Sequence, residues 1–166
     1  MIQSKKDNTK NTLKDTKKRR NALKLKVYTL KIDKSHLSKK KLCYLNLLFT
    51  EAKWLYNFIL SLKDKLWDFD TKIKKVTILD KDKNPVEKDL IILSSQMRQS
   101  VFDQLKENIY TLSKLKKQGF KVGGLNFKST INCINLKQYD VTYRLEDNYF
   151  TLQGFKKDSR SMELIN

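Results

Sequence analysis

Two long segments of the chain repeat apolar residues at three- and four-residue steps, the spacing of a helix that buries one face. The first begins after Ser38, a residue type that caps helix N-termini, and runs to about Phe69. The second begins after Ser94 or Ser95 and runs to about Gln118. The apolar positions are Leu45, Leu48, Phe49, Ala52, Leu55, Tyr56, Ile59, Leu62 and Leu66 in the first segment and Met97, Val101, Leu105, Ile109, Leu112 and Leu115 in the second. We therefore predict two helices that share a core.

Shorter segments alternate apolar and polar residues, which predicts strands with one buried face. Residues 23–32 form the first such segment, ahead of the first helix. Ile73–Leu79 and Val86–Lys88 flank a turn of Asp, Lys, Asn and Pro, which predicts a short hairpin between the helices. The remaining predicted strands are Ile131–Leu136, Val141–Leu145 and Tyr149–Gln153. The order of strand, helix, hairpin, helix and strands predicts an α+β fold.

The charge of the chain is strongly positive and unevenly spread. The 36 Lys and Arg residues against 18 Asp and Glu give a net charge of +18. Residues 1–41 alone hold 15 basic and 3 acidic side chains. An AT-rich coding bias would raise the lysine content everywhere, whereas this excess is concentrated. We therefore predict a polyanionic partner, and a nucleic acid above all.

The first 22 residues are polar and lysine-rich and have no apolar period, which predicts a disordered basic arm. Such an arm is either a solvated tail or a phosphate clamp that becomes ordered on binding. The predicted first strand continues the basic character. The side chains that we assign here to RNA binding are Lys17, Lys18, Arg19, Arg20, Lys24 and Lys26.

A second basic region lies between Glu107 and Asp140, where the sequence has no acidic residue. Its lysines are Lys114, Lys116, Lys117, Lys121, Lys128 and Lys137, interleaved with Phe120, Phe127 and Tyr139. Lysines contact phosphates without regard to sequence, and aromatic rings stack on bases. Packing in a strand is the competing interpretation of Phe127. Strands flanking two helices with a basic face suggest an oligonucleotide-binding barrel interrupted by a helical insertion.

Catalytic motifs are hard to find in this sequence. Its one histidine, His36, follows a strand end and is expected to be an exposed loop residue. No nucleophile elbow, phosphate-binding glycine loop or His-Glu-x-x-His motif is present. We therefore predict no enzymatic activity, no metal site and no cofactor. No apolar run approaches the roughly 18 residues of a membrane span, and we expect a cytoplasmic protein, with association with the nucleoid as a further option.

Four motifs, in order, resemble the N-terminal half of the TnpB family of transposon-encoded, RNA-guided DNA nucleases, which are related to type V CRISPR effectors. They are Glu51–Leu60 (EAKWLYNFIL), Leu93–Gln99 (LSSQMRQ), Lys121–Ser129 (KVGGLNFKS) and Ile134–Tyr139 (INLKQY). The resemblance spans roughly residues 23–155.

The resemblance implies a small oligonucleotide-binding-like, or wedge, β-barrel formed by residues 23–33 and 120–155. A helical recognition insertion with the short hairpin would occupy residues 34–119, and residues 156–166 would be a flexible tail. In that family these modules grip the guide RNA scaffold and read a short DNA motif beside the target. Lys121 and Lys128 would then face RNA phosphate. The residues that would face the DNA motif are Tyr56, Asn57, Gln96, Lys137, Gln138 and Tyr139.

The family's RuvC-like nuclease domain and zinc module are expected to follow the barrel, and the sequence stops there. We therefore expect binding without cleavage, either as a nuclease part or as a decoy that occupies a guide RNA. The expected partners are a structured guide-type RNA and double-stranded DNA at a short motif. The competing hypothesis is an anti-CRISPR interaction protein that docks on a CRISPR effector or a TnpB-like protein and inhibits it. An exposed apolar patch at Trp54 and Trp67 would favour that alternative.

Overall fold

A computed structural model describes residues 5–22, 31–32, 35, 37–80, 82–146, 149–153 and 162–165. The chain divides into two compact units, residues 1–31 and 32–166. In the first unit, helix α1 covers Lys5–Ala22, where the sequence predicted disorder. That prediction rested on the missing apolar face, but lysine and arginine, which make up much of this segment, are good helix formers even where nothing is buried. Most of the predicted first strand, residues 23–30, lies outside the described residues.

The second unit is built on two long helices, as predicted. Helix α2 covers Lys39–Ser61 and is followed by a 3₁₀ helix at Lys63–Asp68. Helix α3 covers Ser95–Lys117. Ser38 and Ser94 cap the two helices, since each hydroxyl accepts a hydrogen bond from the backbone N–H three residues on.

The described strands form two antiparallel sheets. Strands β2 (Lys75–Leu79) and β3 (Pro85–Asp89) form the predicted hairpin, with Val76 opposite Lys88. The other sheet has the order β1-β6-β5-β4, and its members are β1 (Lys31–Ile32), β4 (Tyr143–Glu146), β5 (Tyr149–Leu152) and β6 (Met162–Ile165). The α+β class is therefore confirmed. The described residues form no closed barrel.

One prediction about the C-terminal part of the chain is wrong. Residues 120–138 contain no strand, although Ile131–Leu136 had been predicted as one. Four of their apolar side chains, Leu125, Ile131, Ile134 and Leu136, are partly buried against the core instead. The predicted flexible tail includes strand β6, in which Met162 pairs with Phe150 on the open edge of β5. Residues 154–161 and 166 lie outside the described residues.

The core lies between α2, α3 and the hairpin. Its largest fully buried apolar side chains are Leu55, Ile59, Val76, Leu93, Met97 and Leu105, and four of them, Leu55, Ile59, Met97 and Leu105, belong to the apolar stripes predicted for the two helices. Leu152 of β5 is buried in the same core and packs the larger sheet against it. The Tyr44 O–H of α2 donates to the carbonyl of Gln153 at 2.8 Å and fastens the end of β5 to the helix.

A buried carboxylate in α2 fixes the loop that leads into α3. Glu51 is fully buried, and its two oxygens accept hydrogen bonds from the backbone N–H groups of Ile91, Ile92 and Leu93 at 2.8–3.2 Å. The Arg98 guanidinium donates to the Leu93 carbonyl at 2.7 Å and to the Thr71 carbonyl at 3.1 Å. Burial lowers the pKa of Arg98, and the nearby Glu51 carboxylate acts in the opposite direction. Glu51 therefore accepts from the N–H groups of residues 91–93, and Arg98 donates to the Leu93 carbonyl of the same short segment.

Replacing Glu51 by alanine should destabilise the protein strongly, because one buried and two part-buried backbone N–H groups lose their acceptor. We expect the free energy of unfolding to fall by about 3 kcal/mol or more. Urea unfolding followed by circular dichroism measures the change. Glu107→Ala, at an exposed position of α3, is the matched control and should change the free energy of unfolding by less than about 0.5 kcal/mol. A Glu51→Ala protein as stable as that control would contradict this role.

Candidate nucleic-acid interface

The acid-free region forms the C-terminal half of α3 and an irregular segment, residues 120–138, that lies against the helical core. Leu125, Ile131 and Leu136 are partly buried against that core and anchor the segment. The side chains of Lys114, Lys116, Lys117 and Lys121 are exposed. Four ammonium groups are therefore presented to solvent from a stretch without an opposing acid.

The segment is tied to α2 through one asparagine. The Asn57 side chain donates to the carbonyl of Lys128 at 2.9 Å and accepts from its N–H at 2.8 Å. The Lys128 ammonium lies over the ring of Tyr56, 4.5 Å from its centre. Tyr56 is itself in the core, and burial raises its pKa. Core packing therefore explains the presence of Tyr56, and hydrogen bonds to the Lys128 backbone explain that of Asn57. The Lys128 side chain is half-buried and not fully exposed to solvent.

The aromatic residues of the segment point outward. Phe120 is 61% exposed and Phe127 is 66% exposed. The interpretation of Phe127 as a packed strand residue is wrong, because residues 120–138 form no strand and the ring is exposed to solvent. At Gly123 and Gly124, a Cβ built on the backbone would meet no described heavy atom within 4 Å. Packing within the described part of the protein does not require glycine at either position.

The structure brings together the residues predicted to read a DNA motif near the start of α3. Gln96, in the first turn, donates its side-chain N–H to the side-chain oxygen of Gln138. Tyr139 follows, 55% exposed, with its ring 5.6 Å from that of Tyr143 and its O–H bonded to the Leu145 carbonyl. The amide oxygen of Gln96 is buried without a hydrogen-bond partner among the described groups. Gln96 and Gln138 thus form a polar cluster beside the capped end of α3, and Tyr139 follows Gln138 directly in the chain.

Lys137 belongs to the same cluster but is neutralised. Its ammonium forms an ion pair with Asp103 on the next turns of α3. Asp103 also accepts from Gln99 at 2.9 Å and lies 3.3 Å from the Lys106 ammonium. Burial tends to raise the pKa of Asp103, but hydrogen bonds from Lys137, Gln99 and Lys106 outweigh it, so its pKa is lowered. The acid fixes Lys137 in place and cancels its charge.

The remaining predicted residues are spread elsewhere. Lys17, Lys18 and Arg19 are exposed on α1, and Arg20 belongs to the same helix. Lys24, Lys26 and His36 lie outside the described residues. The described residues contain no group of three or more His, Cys, Asp or Glu side chains that could hold a metal ion. Within the same described ranges, no helix is both long and apolar enough to cross a membrane.

Sequence reasoning missed three residues that shape this surface. Glu51, Arg98 and Asp103 appeared only as parts of motifs or of the charge count. For Glu51 a signal was present: it lies three residues after Leu48 and four before Leu55, inside the apolar stripe of α2. A charged residue on a core-facing stripe needs buried partners, so its position already indicated a structural role. No comparable signal marks Asp103, whose partner lies 34 residues away.

Comparison of the chain with models of protein families, with curated proteins and with solved structures finds no match. The interpretation of the surface therefore rests on its own geometry and charge.

The Asp103 ion pair gives a pH dependence of stability. A carboxyl whose folded-state pKa is lowered stabilises the fold above its unfolded value, near 3.8, and this contribution is lost as the pH falls through the lower folded value. We expect Asp103→Asn to reduce the melting temperature at neutral pH and to lessen its further fall below about pH 4. Thermal melts across pH measure both effects. Asp64→Asn, at an exposed acid of the 3₁₀ helix, is the control. Equal acid sensitivity of wild type and Asp103→Asn would contradict the pairing.

Proposed function

We propose that this protein binds RNA without cleaving it and acts as a recognition module of the kind that TnpB resemblance implies. Its partner would be a structured guide-type RNA, and it would serve either as part of a nuclease or as a decoy that occupies the guide. The observation that carries the proposal is the exposed basic segment of α3 and residues 120–138, which contains no acid between Glu107 and Asp140. Its setting would be the cytoplasm, near the nucleoid where it also meets DNA.

The positions of the exposed lysines support the proposal more strongly than the net charge of the chain does. Lys114, Lys116, Lys117 and Lys121 are all exposed, and positive potential from neighbouring ammonium groups adds where no carboxylate cancels it. Asp103 of α3, which contacts this segment through Lys137, is also paired with Lys106. Flexible ammonium groups contact phosphate without reading bases, so this surface suits the backbone of a folded RNA.

The polar cluster beside α3 supports a second, finer part of the proposal. We assign Gln96, Gln138 and Tyr139 to a short motif in double-stranded DNA, since an amide can pair bidentately with the major-groove edge of adenine. The sheet β1-β6-β5-β4 would be the described part of a wedge barrel around that site. The mutual hydrogen bond of Gln96 and Gln138 would have to open for either amide to contact a base.

The alternative of a protein that docks on and inhibits a CRISPR effector gains less support. Trp67 is 59% exposed, but Trp54 packs against the core, and the Lys88 ammonium lies 6.0 Å from the centre of its ring. The two tryptophans therefore do not present one shared apolar face. RNA binding remains the better supported function.

We predict that affinity for structured RNA falls steeply with salt. With six to eight phosphate contacts, a log–log slope of about −5 to −7 is expected. Replacing Lys116, Lys117 and Lys121 together by glutamine should make the slope shallower by about 2 to 3 and weaken all RNAs alike. Fluorescence anisotropy at several salt concentrations measures both quantities.

The matched control for this experiment replaces Lys65, Lys72 and Lys74 by glutamine, which removes the same three charges from exposed positions outside the segment. It should retain nearly the wild-type slope. Equal effects of the two triple variants would show that net charge alone drives binding, and an affinity insensitive to salt would contradict RNA binding through this surface. Incubation with Mg²⁺ should leave both RNA and DNA intact.

A further inference from the structure

A groove runs along one face of α2 and is closed on its other side by residues 127–132. Two adjoining hollows, of about 410 Å³ and 340 Å³, make up the groove. Both are lined by Lys53 of α2 and Ser129 of the irregular segment, so they meet at these two residues. The helical side extends from Asn46 to Ser61, a rise of roughly 22 Å at 1.5 Å per residue.

The lining of this groove mixes basic, neutral polar and apolar side chains. None of the described residues that line either hollow is acidic, and the charged ones are Lys53 and Lys128. The first hollow is lined by the hydroxyl groups of Thr50, Ser129 and Thr130 and by the side-chain amides of Asn46 and Asn132. The ring of Phe127, 66% exposed, stands at the wall of the second hollow. Positive charge, neutral hydrogen-bonding groups and an exposed ring therefore alternate over a short distance.

We propose that this groove binds an unpaired, single-stranded stretch of RNA, with one base stacked on Phe127. The inference rests on the proposed RNA-binding function and specifies which part of the RNA this face receives. Lys53 supplies the charge for the phosphates, and base stacking on an exposed ring tolerates any sequence. The hydroxyl and amide groups of the first hollow can form hydrogen bonds with the 2′-hydroxyls of the bound strand. These hydroxyls distinguish RNA from DNA.

The groove is held open by contacts between α2 and Lys128 of the irregular segment. Asn57 fastens both backbone groups of Lys128 to α2, and the Lys128 ammonium rests on Tyr56. These contacts set the spacing between the helix and residues 127–132 before any ligand arrives. A preformed groove avoids the ordering cost that a flexible segment would meet on binding.

The test compares two RNAs on the full chain by fluorescence anisotropy: a short oligouridylate and a blunt-ended RNA duplex. Phe127→Ala should weaken oligouridylate binding about tenfold and leave duplex binding unchanged, because only an unpaired base can stack on the ring. Phe127→Trp should restore the affinity, since it keeps a stacking surface. Phe120→Ala, at another exposed ring of the same segment but outside the groove, should affect neither RNA.

The outcomes separate this inference from the proposed function. RNA binding that is retained in Phe127→Ala for both ligands, or lost equally for both, would overturn the groove while leaving RNA binding in place. Failure of the wild-type chain to bind either RNA would overturn both. Oligothymidylate bound as tightly as oligouridylate would overturn the assignment to RNA and leave single-stranded DNA as the occupant.

Discussion

The fold of residues 37–153 depends on a single buried carboxylate that is met by three backbone N–H groups. Glu51 of α2 accepts from Ile91, Ile92 and Leu93, the residues that lead directly into α3. An ionised group can remain fully buried only when hydrogen bonds replace its water, and these three do so. Arg98 holds the carbonyl of the same segment. The start of α3, and with it the position of Gln96, is therefore fixed from α2.

Helix α2 is also the support for the candidate binding surface. Its buried face carries Leu55 and Ile59 into the core, and its half-buried side holds Asn57 against Lys128. Residues 120–138 have no strand partner, so side-chain packing and this pair of hydrogen bonds position them. A segment held in this way leaves many side chains exposed. That is why this stretch can present Lys121 and two phenylalanine rings to solvent, beside the exposed lysines at the end of α3.

Periodicity predicted the elements that are stabilised locally. Both helices, both serine caps and the hairpin follow from apolar spacing and turn residues. The strand predicted at Ile131–Leu136 failed because alternating apolar residues can equally pack one by one on a helical surface. Contacts between distant residues, such as Gln96 with Gln138 and Asp103 with Lys137, leave no local pattern. The sequence motifs assigned Gln96, Lys137 and Gln138 to one role, but only the fold shows that Lys137 is paired with Asp103.

The central claim, that an exposed acid-free surface binds folded RNA, is tested most directly by what the protein carries when it is purified at low salt. We expect structured RNA to copurify with the full chain and to be lost when Lys114, Lys116, Lys117 and Lys121 are replaced by glutamine. Sequencing of the bound nucleic acid identifies it. Protein that elutes free of nucleic acid at low salt, or carries the same RNA after those four replacements, would contradict the claim.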